Sequence, residues 1–281
     1  MSLGRLLASG VVGAGVTAAV RAGLGSGALV GGVREGAAPW TRTNHRGEPV
    51  SLLEGPAVAA GLVAGAVAGG SGRGRAAAVV ATAGAGALGL VDDLAEDTST
   101  RTKGLRGHLG ALAEGRLTTG GLKVLGIGAT SLAAAAVGTR RTAGAGRWVA
   151  DVAVNGALIA GTANLVNLLD LRPGRALKAS ALLVSLPAGG PGAAAGTGAV
   201  LGAGAAAWSG DLGERDMLGD GGANALGALV GTRLALGLPR PLRVAALAGV
   251  VGLTLASEKV SFSAVIDRTP WLRTIDALGR R

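Results

Sequence analysis

Apolar residues in this chain come in long blocks separated by short polar segments. Ala, Gly, Val and Leu dominate residues 6–30, 52–70, 76–91, 121–138, 148–169, 176–190, 193–209, 222–238 and 241–257. A helix crossing a bilayer needs about 17–25 mostly apolar residues, and several of these blocks reach only the lower limit. The pattern predicts an all-α, polytopic helical membrane protein with about nine transmembrane helices. The first run, Leu6 to Val20, has the look of a signal peptide. Eight further apolar blocks follow it, and no polar mature domain opens behind it, so it reads as a span. Residues 1–281 form a single integral-membrane domain on this view, with 258–281 as a cytoplasmic tail.

Composition strengthens the picture. Of 281 residues, 49% are hydrophobic and 16% charged, against about 25% charged in soluble domains, and the mean hydropathy is +0.48. Disorder is excluded, since it needs low hydrophobicity and high charge. The 53 Gly residues lack the three-residue period of collagen. They suit helices in lipid, where close packing drives association. With no Cys there are no disulfides and no Cys-ligated zinc or iron–sulfur sites, and His45 and His108 alone cannot build a His-rich metal site. The net charge of +10 does not point to nucleic acid: Tyr is absent and Phe occurs once, so bases have no stacking platform.

Charge also orients the chain. With 31–51, 92–123, 170–178, 208–221 and 258–281 on one side, that side holds most of the 27 Lys and Arg. The positive-inside rule makes it cytoplasmic, with the N-terminus outside and the C-terminus inside. Arg140, Arg141 and Arg147 oppose the bias. Of the 17 Asp and Glu, all but Asp151 fall on or beside the same side. Acidic residues contribute little to orientation, so this clustering at span ends points to chemistry.

Four segments on that side carry candidate chemistry. Asp92-Asp93 closes the third span; adjacent carboxylates at an apolar helix end repel each other, and a divalent cation relieves both the repulsion and the burial penalty. A solvated helix end is the plain alternative. Lys103, Arg106 and His108, then Gly115 to Lys123, combine cations, Thr hydroxyls and Gly amides suited to phosphate, or to anionic lipid heads. Asn164, Asn167 and Asp170 lie broadly on one face of the fifth span, as ligand groups or as hydrogen-bond glue between helices. Met217 to Gly227 places Asp220 in a Gly-rich turn opening a span, where Gly219, Gly221 and Gly222 would let the backbone approach a ligand and the helix N-terminus favours phosphate. Asp211, Glu214 and Asp216 read as solvated loop charges.

Together these segments resemble the polyprenyl-phosphate N-acetylhexosamine-1-phosphate transferase family (glycosyltransferase family 4), from about Asn44 to Gly231. Asp92-Asp93 resembles its paired aspartates. Asn164-x-x-Asn167-x-x-Asp170 resembles the start of its Asn-x-x-Asn-x-x-Asp-Gly-x-Asp-Gly motif, and Gly219-Asp220-x-Gly222 with Leu226-Gly227 its Gly-Asp-x-Gly-Ser…Leu-Gly motif. Asn44 to Val50 sits where the family has its first basic cytoplasmic loop. The resemblance implies Mg²⁺-dependent transfer of a sugar-1-phosphate from a UDP-sugar to a polyprenyl phosphate in cell-envelope precursor synthesis, with UMP released. It implies Asp92, Asp93 and Asp170 as catalytic residues and Mg²⁺ ligands. Asn164, Asn167, Asp220, Gly222, Lys103, Arg106, His108 and Lys123 would be substrate-binding. A homodimer is compatible with it.

The chain departs from the pattern too. After Asp170 it reads Leu171-Arg172-Pro173-Gly174-Arg175-Ala176, so Pro173 stands where the family has its second aspartate. Ala223 replaces the usual Ser, and Glu258 to Arg268 lacks the family's His-rich loop. These changes keep an alternative open, a catalytically degenerate member acting as a membrane scaffold or lipid-binding partner. A transporter fits less well, because its polar groups would lie near the bilayer midplane.

Overall fold

The computed structural model describes residues 2–31, 33, 36–95, 119–141, 144–190 and 192–281. Among the described residues the nine apolar blocks become nine helices in order: α1 Leu3–Gly25, α2 Glu54–Gly69, α3 Gly72–Ala95, α4 Thr119–Gly138, α5 Ala145–Leu169, α6 Arg175–Ser185, α7 Ala193–Leu212, α8 Gly219–Gly237 and α9 Arg240–Ser257. Two short helices follow, α10 Phe262–Arg268 and α11 Pro270–Ala277. Five helices, α1, α3, α4, α5 and α9, are long and apolar enough to cross a membrane. By length and composition the chain is therefore a multi-pass membrane protein with five such spans. The other four of the expected nine fall short for local reasons. Helix α2 has 16 residues and α6 has 11, while α7 is long enough but mostly Ala and Gly with few Val or Leu, and α8 carries Asp220, Asn224 and Arg233.

Helix α8 forms the axis. It packs against α2, α3, α4, α5, α6 and α7, and every residue from Gly221 to Ala235 is buried. The outer helices do the reverse: α9 has no buried residue, and Leu3, Leu7 and Val11 of α1 are more than half exposed. Such a large apolar exterior suits lipid rather than water.

Small residues set the spacing between helices. Gly61, Gly65 and Gly69 line one face of α2 at intervals of four. A Cβ at Gly65 would lie 2.7 Å from the Ser9 carbonyl oxygen of α1, and one at Gly69 2.6 Å from that of Arg5. Only glycine permits this approach. Ser9 fastens the contact, its hydroxyl donating to the carbonyls of Gly65 (2.8 Å) and Ala195 of α7 (2.6 Å).

The Asn44–Val50 segment turns out to be the bend of a hairpin, β1 Thr41–Thr43 antiparallel to β2 Pro49–Ser51. Asn44 Oδ1 accepts from the amides of Arg46 and Glu48, both at 2.9 Å, and Gly47 adopts φ +83°. This is the local side-chain capping that favours Asn in turns. The far edge of β2 then pairs with the α7–α8 loop: Ser51 N donates to Arg215 O and Met217 N to Ser51 O, each at 2.9 Å. Charged groups expected in solvent are sheltered around this loop. Asp211 is 2% and Glu214 4% exposed, and Asp216 accepts from Arg21 of α1 at 2.6 Å. These are sheltered groups rather than solvated loop charges: Glu214 lies against Asn44 and Arg46 of the hairpin, Asp211 accepts from the Gly174 amide, and Asp216 pairs with Arg21.

Candidate functional site

The C-terminal turn of α3, the first turns of α4 and α8, and the end of α5 meet at one end of the bundle. Lys123 of α4 reaches between two of these elements. Its Nζ lies 2.7 Å from Asp92 Oδ2 and also contacts Asp220 Oδ2. Two carboxylates far apart in sequence thus converge on one ammonium. The side chains of Lys123, Asp92 and Asp220 are 16%, 14% and 27% exposed, sheltered enough to strengthen the ion pairs yet open to a solute.

Asp93 faces the other way. Its two carboxylate oxygens accept from the backbone amides of Asp220 (3.0 Å) and Gly221 (2.8 Å). Those amides are among the donors that the start of α8 leaves without an intrahelical acceptor, and a negative charge there complements the helix dipole. Asp93 is a cap donated by a neighbouring helix. Gly219, with φ +57°, makes the sharp entry, and a Cβ there would stand 3.0 Å from Asp93 Oδ2. Arg42 of the hairpin also donates to the Asp93 carbonyl.

The glycines of this turn serve helix packing. A Cβ at Gly222 would meet the Gly55 Cα at 2.8 Å, and one at Gly221 would meet the Leu90 Cα at 3.4 Å. Gly222 lies buried against α2, so its backbone approaches another helix where the sequence suggested a ligand.

Asp170 follows the last residue of α5. Burial pushes its carboxyl well above the usual carboxylate range, and the nearby charges of Asp211, Asp220 and Asp93 add to the rise. Asp92, Asp93, Asp170, Asp220 and Lys123 are thus gathered at one end. Asn164 and Asn167 are half-buried on the preceding turns of α5. Lys103, Arg106 and His108 lie outside the described residues.

Sequence reasoning missed a deeper acidic nest behind this cluster. Glu54 is 2% exposed and opens α2. A Cβ at Gly210 would lie 3.1 Å from Glu54 Oε2 and 2.5 Å from Asp216 Oδ2, so these carboxylates crowd one spot. Glu54 Oε1 and Asp211 Oδ2 are buried without hydrogen-bond partners among the described residues. Glu54 stood at the edge of an apolar block, which was the available clue. Among the described residues, no three His, Asp or Glu side chains form a ready-made metal cage.

The chain end folds back over this region. Arg175, the first residue of α6, makes a paired contact with Asp276 of α11: Nε to Oδ1 at 2.9 Å and Nη2 to Oδ2 at 3.0 Å. Arg280 donates to the Pro173 carbonyl at 2.9 Å, and Lys178 Nζ to that of Asp276 at 2.7 Å. The Arg172–Arg175 segment, which departs from the family motif, is thus the anchor of residues 258–281. Burial alone would raise the Asp276 carboxyl, but the hydrogen bonds and charge of Arg175 hold it below the usual carboxylate range.

An apolar groove opens nearby. Leu177 and Ala181 of α6, Val200, Leu201 and Gly204 of α7, and Trp208 line a space of about 350 Å³.

No known family model matches the chain, and no curated protein matches it. The family resemblance therefore rests on the motif residues of the sequence alone.

Proposed function

We propose that the chain transfers a sugar-1-phosphate from a UDP-sugar to a polyprenyl phosphate at the end of the bundle that holds Lys123. The observation that carries this is the convergence of Asp92, Lys123 and Asp220 from three helices, with Asp93 and Asp170 beside them. In this proposal α1–α9 are nine crossings, with the N-terminus outside and 258–281 cytoplasmic. Support comes from the acidic and basic segments gathered at that end.

The donor set suits Mg²⁺, which takes one or two carboxylates and completes its shell with phosphate oxygens and water. Asp92 and Asp220 would hold it, with Asp170 nearby, while Asp93 keeps α8 in place. Mg²⁺ would supply charge stabilisation for the diphosphate. Lys123 would exchange a carboxylate for a phosphate oxygen as substrate enters. A lipid phosphate oxygen attacks the β-phosphorus of the nucleotide sugar; that bond forms as the bond to the bridging oxygen breaks, and UMP leaves with the bonding electrons. A phosphate dianion needs no base, so the residues position and neutralise rather than abstract a proton. The groove along α6 and α7 would take the polyprenyl chain, since its Leu177 end lies two residues from Arg175 and its Trp208 end three residues from Asp211.

The second proposal is a non-catalytic scaffold. One observation favours it: the segment replacing the family's second aspartate is occupied by Asp276 and Arg280 of the chain's own end. The two are separated with purified protein in detergent, Mg²⁺, undecaprenyl phosphate and a panel of radiolabelled UDP-sugars. Transfer predicts label in the lipid phase, lost in Asp92→Asn and Asp220→Asn. Folded protein that moves no label from any donor would overturn it.

A further inference from the structure

At the opposite end of the bundle, the first turns of α3 and α7 and the ends of α4 and α8 enclose a cavity of about 430 Å³. Its charged lining is Arg73, Arg75, Arg140, Arg233 and Arg243 against one carboxylate, Asp151. The arginines fall into two sets. Arg73, Arg75 and Arg140 are exposed and form the rim. Arg233 and Arg243 form the floor.

Arg233 is the informative residue. It is 5% exposed, and its guanidinium donates only to neutral oxygens: Thr197 Oγ1 at 2.8 Å, Leu186 O at 2.7 Å and Leu183 O at 3.5 Å. Among the described residues no carboxylate pairs with it. Asp151 is engaged elsewhere, accepting from Arg240 Nε at 3.0 Å and lying 3.6 Å from Arg243. Arg243 in turn donates to Asn155 Oδ1 at 2.8 Å, while its Nε is buried with no partner among the described residues. A buried cation without a counter-charge is costly, and proteins almost always pair it. Arg233 lines the cavity, and no carboxylate among the described residues neutralises it. The amides at the starts of α3 and α7 add a favourable field for an anion.

We propose that this cavity binds a phosphoryl group, carried by a lipid headgroup or by a free polyphosphate. Guanidinium forks match phosphate oxygens in paired hydrogen bonds, and the volume lies within the usual range for small-ligand sites. The inference does not rest on transferase activity at the other end.

The test uses the full chain in lipid-free detergent with EDTA, so that the acidic end repels anions. One arm titrates pyrophosphate against sodium chloride of equal ionic strength and follows Tm. The other adds phosphatidylglycerol, with dioleoylglycerol as the phosphate-free control, and counts retained lipid by native mass spectrometry. Binding in the first arm identifies a free polyphosphate, binding in the second a lipid headgroup, and either supports the site. Arg233→Gln should abolish binding. Because that variant can fail to fold, the exposed pair Arg73→Ala/Arg75→Ala carries the decision and should weaken binding about tenfold. The proposal is overturned if wild type ignores both ligands relative to controls, or if the rim variant binds as tightly as wild type.

Discussion

The two ends of the bundle handle buried charge in opposite ways. Where α3, α4, α5 and α8 meet, most charges find a partner within the chain: Lys123 between Asp92 and Asp220, Asp93 on the amides of α8, Arg21 on Asp216, Arg175 on Asp276. At the other end Arg233 leans on neutral oxygens beside an open cavity. Opposite charges held on separate helices fix how those helices sit, and they can be exchanged for substrate charges of the same sign. A cation left without its counter-charge instead asks for something from outside. The acidic end is therefore a candidate place for chemistry and the basic end for binding.

The sharpest way to break this contrast is to remove the ammonium that the acidic end shares. Lys123→Met leaves Asp92 and Asp220 facing each other. On the transferase proposal, label transfer falls about 10²-fold or more, the scale set by losing one preorganised charge at a phosphoryl centre. Transfer unchanged in Lys123→Met would detach the lysine from function.

Next in size is the clasp on the chain end. Asp276→Asn breaks the pair with Arg175 and leaves a mostly buried guanidinium without its counter-charge, a change that costs about 3–5 kcal/mol in fully buried pairs. Residues 258–281 should then become cleavable by trypsin at Lys259 or Arg268 while the bundle survives. The wild-type clasp carries a pH signature. The native Asp276 carboxyl is held below its unfolded value, so the docking energy is complete above about pH 4 and disappears as pH falls through the lower native value. Pepsin digestion from pH 5 to pH 2 should show the tail opening late in that range, and tail release already at pH 5 would contradict the pairing. Smaller again is Asp93→Ala, which removes one cap from α8. Loss of a cap costs about 1 kcal/mol, a Tm fall of roughly 2–4 °C, with no change in the ends of α3.

The sequence made the helices legible and the charge pairing only partly so. Nine apolar blocks match nine helices with ends within a few residues, except 6–30 and 176–190, whose helices stop five residues early, at Gly25 and at Ser185 before Pro187. Periodicity and length encode this directly. Spanning capacity was less visible, because Gly and Ala satisfy block length while contributing little hydropathy, as in α7. Asp92, Asp93, Asp170 and Asp220 were found as residue types at helix ends, and their convergence follows the order of the helices. Their division of labour was hidden: that Asp93 caps α8 while its neighbour Asp92 meets Lys123 depends on the rotation of α3. The burial of Asp211 and Glu214 was equally hidden, since Glu214 meets the hairpin and Asp211 the Gly174 amide, both contacts across the fold. Arg233 lies inside the apolar block 222–238, and its neutral partners come from the end of α6 and from α7, contacts across the fold.

The finest probe of the acidic end is Asp170, which has no cationic partner among the described residues such as Asp92 has in Lys123. Its folded carboxyl titrates well above its unfolded value because of burial and the charges of Asp211, Asp220 and Asp93. The sign follows from proton counting. Between the unfolded value near 4 and the raised native value, the folded state holds more protons than the unfolded state, so stability falls as pH rises. Asp170→Asn keeps the shape and removes that penalty. Its Tm should match wild type near pH 4 and exceed it at pH 8, with the gap growing through the native titration. If Mg²⁺ closes the gap at pH 8 in the wild type but leaves the variant unmoved, the carboxylate lies within the cation's field. A wild-type Tm that rises from pH 5 to pH 8 relative to the variant would mean that Asp170 is paired after all, and the contrast between the two ends would then be one of sign alone.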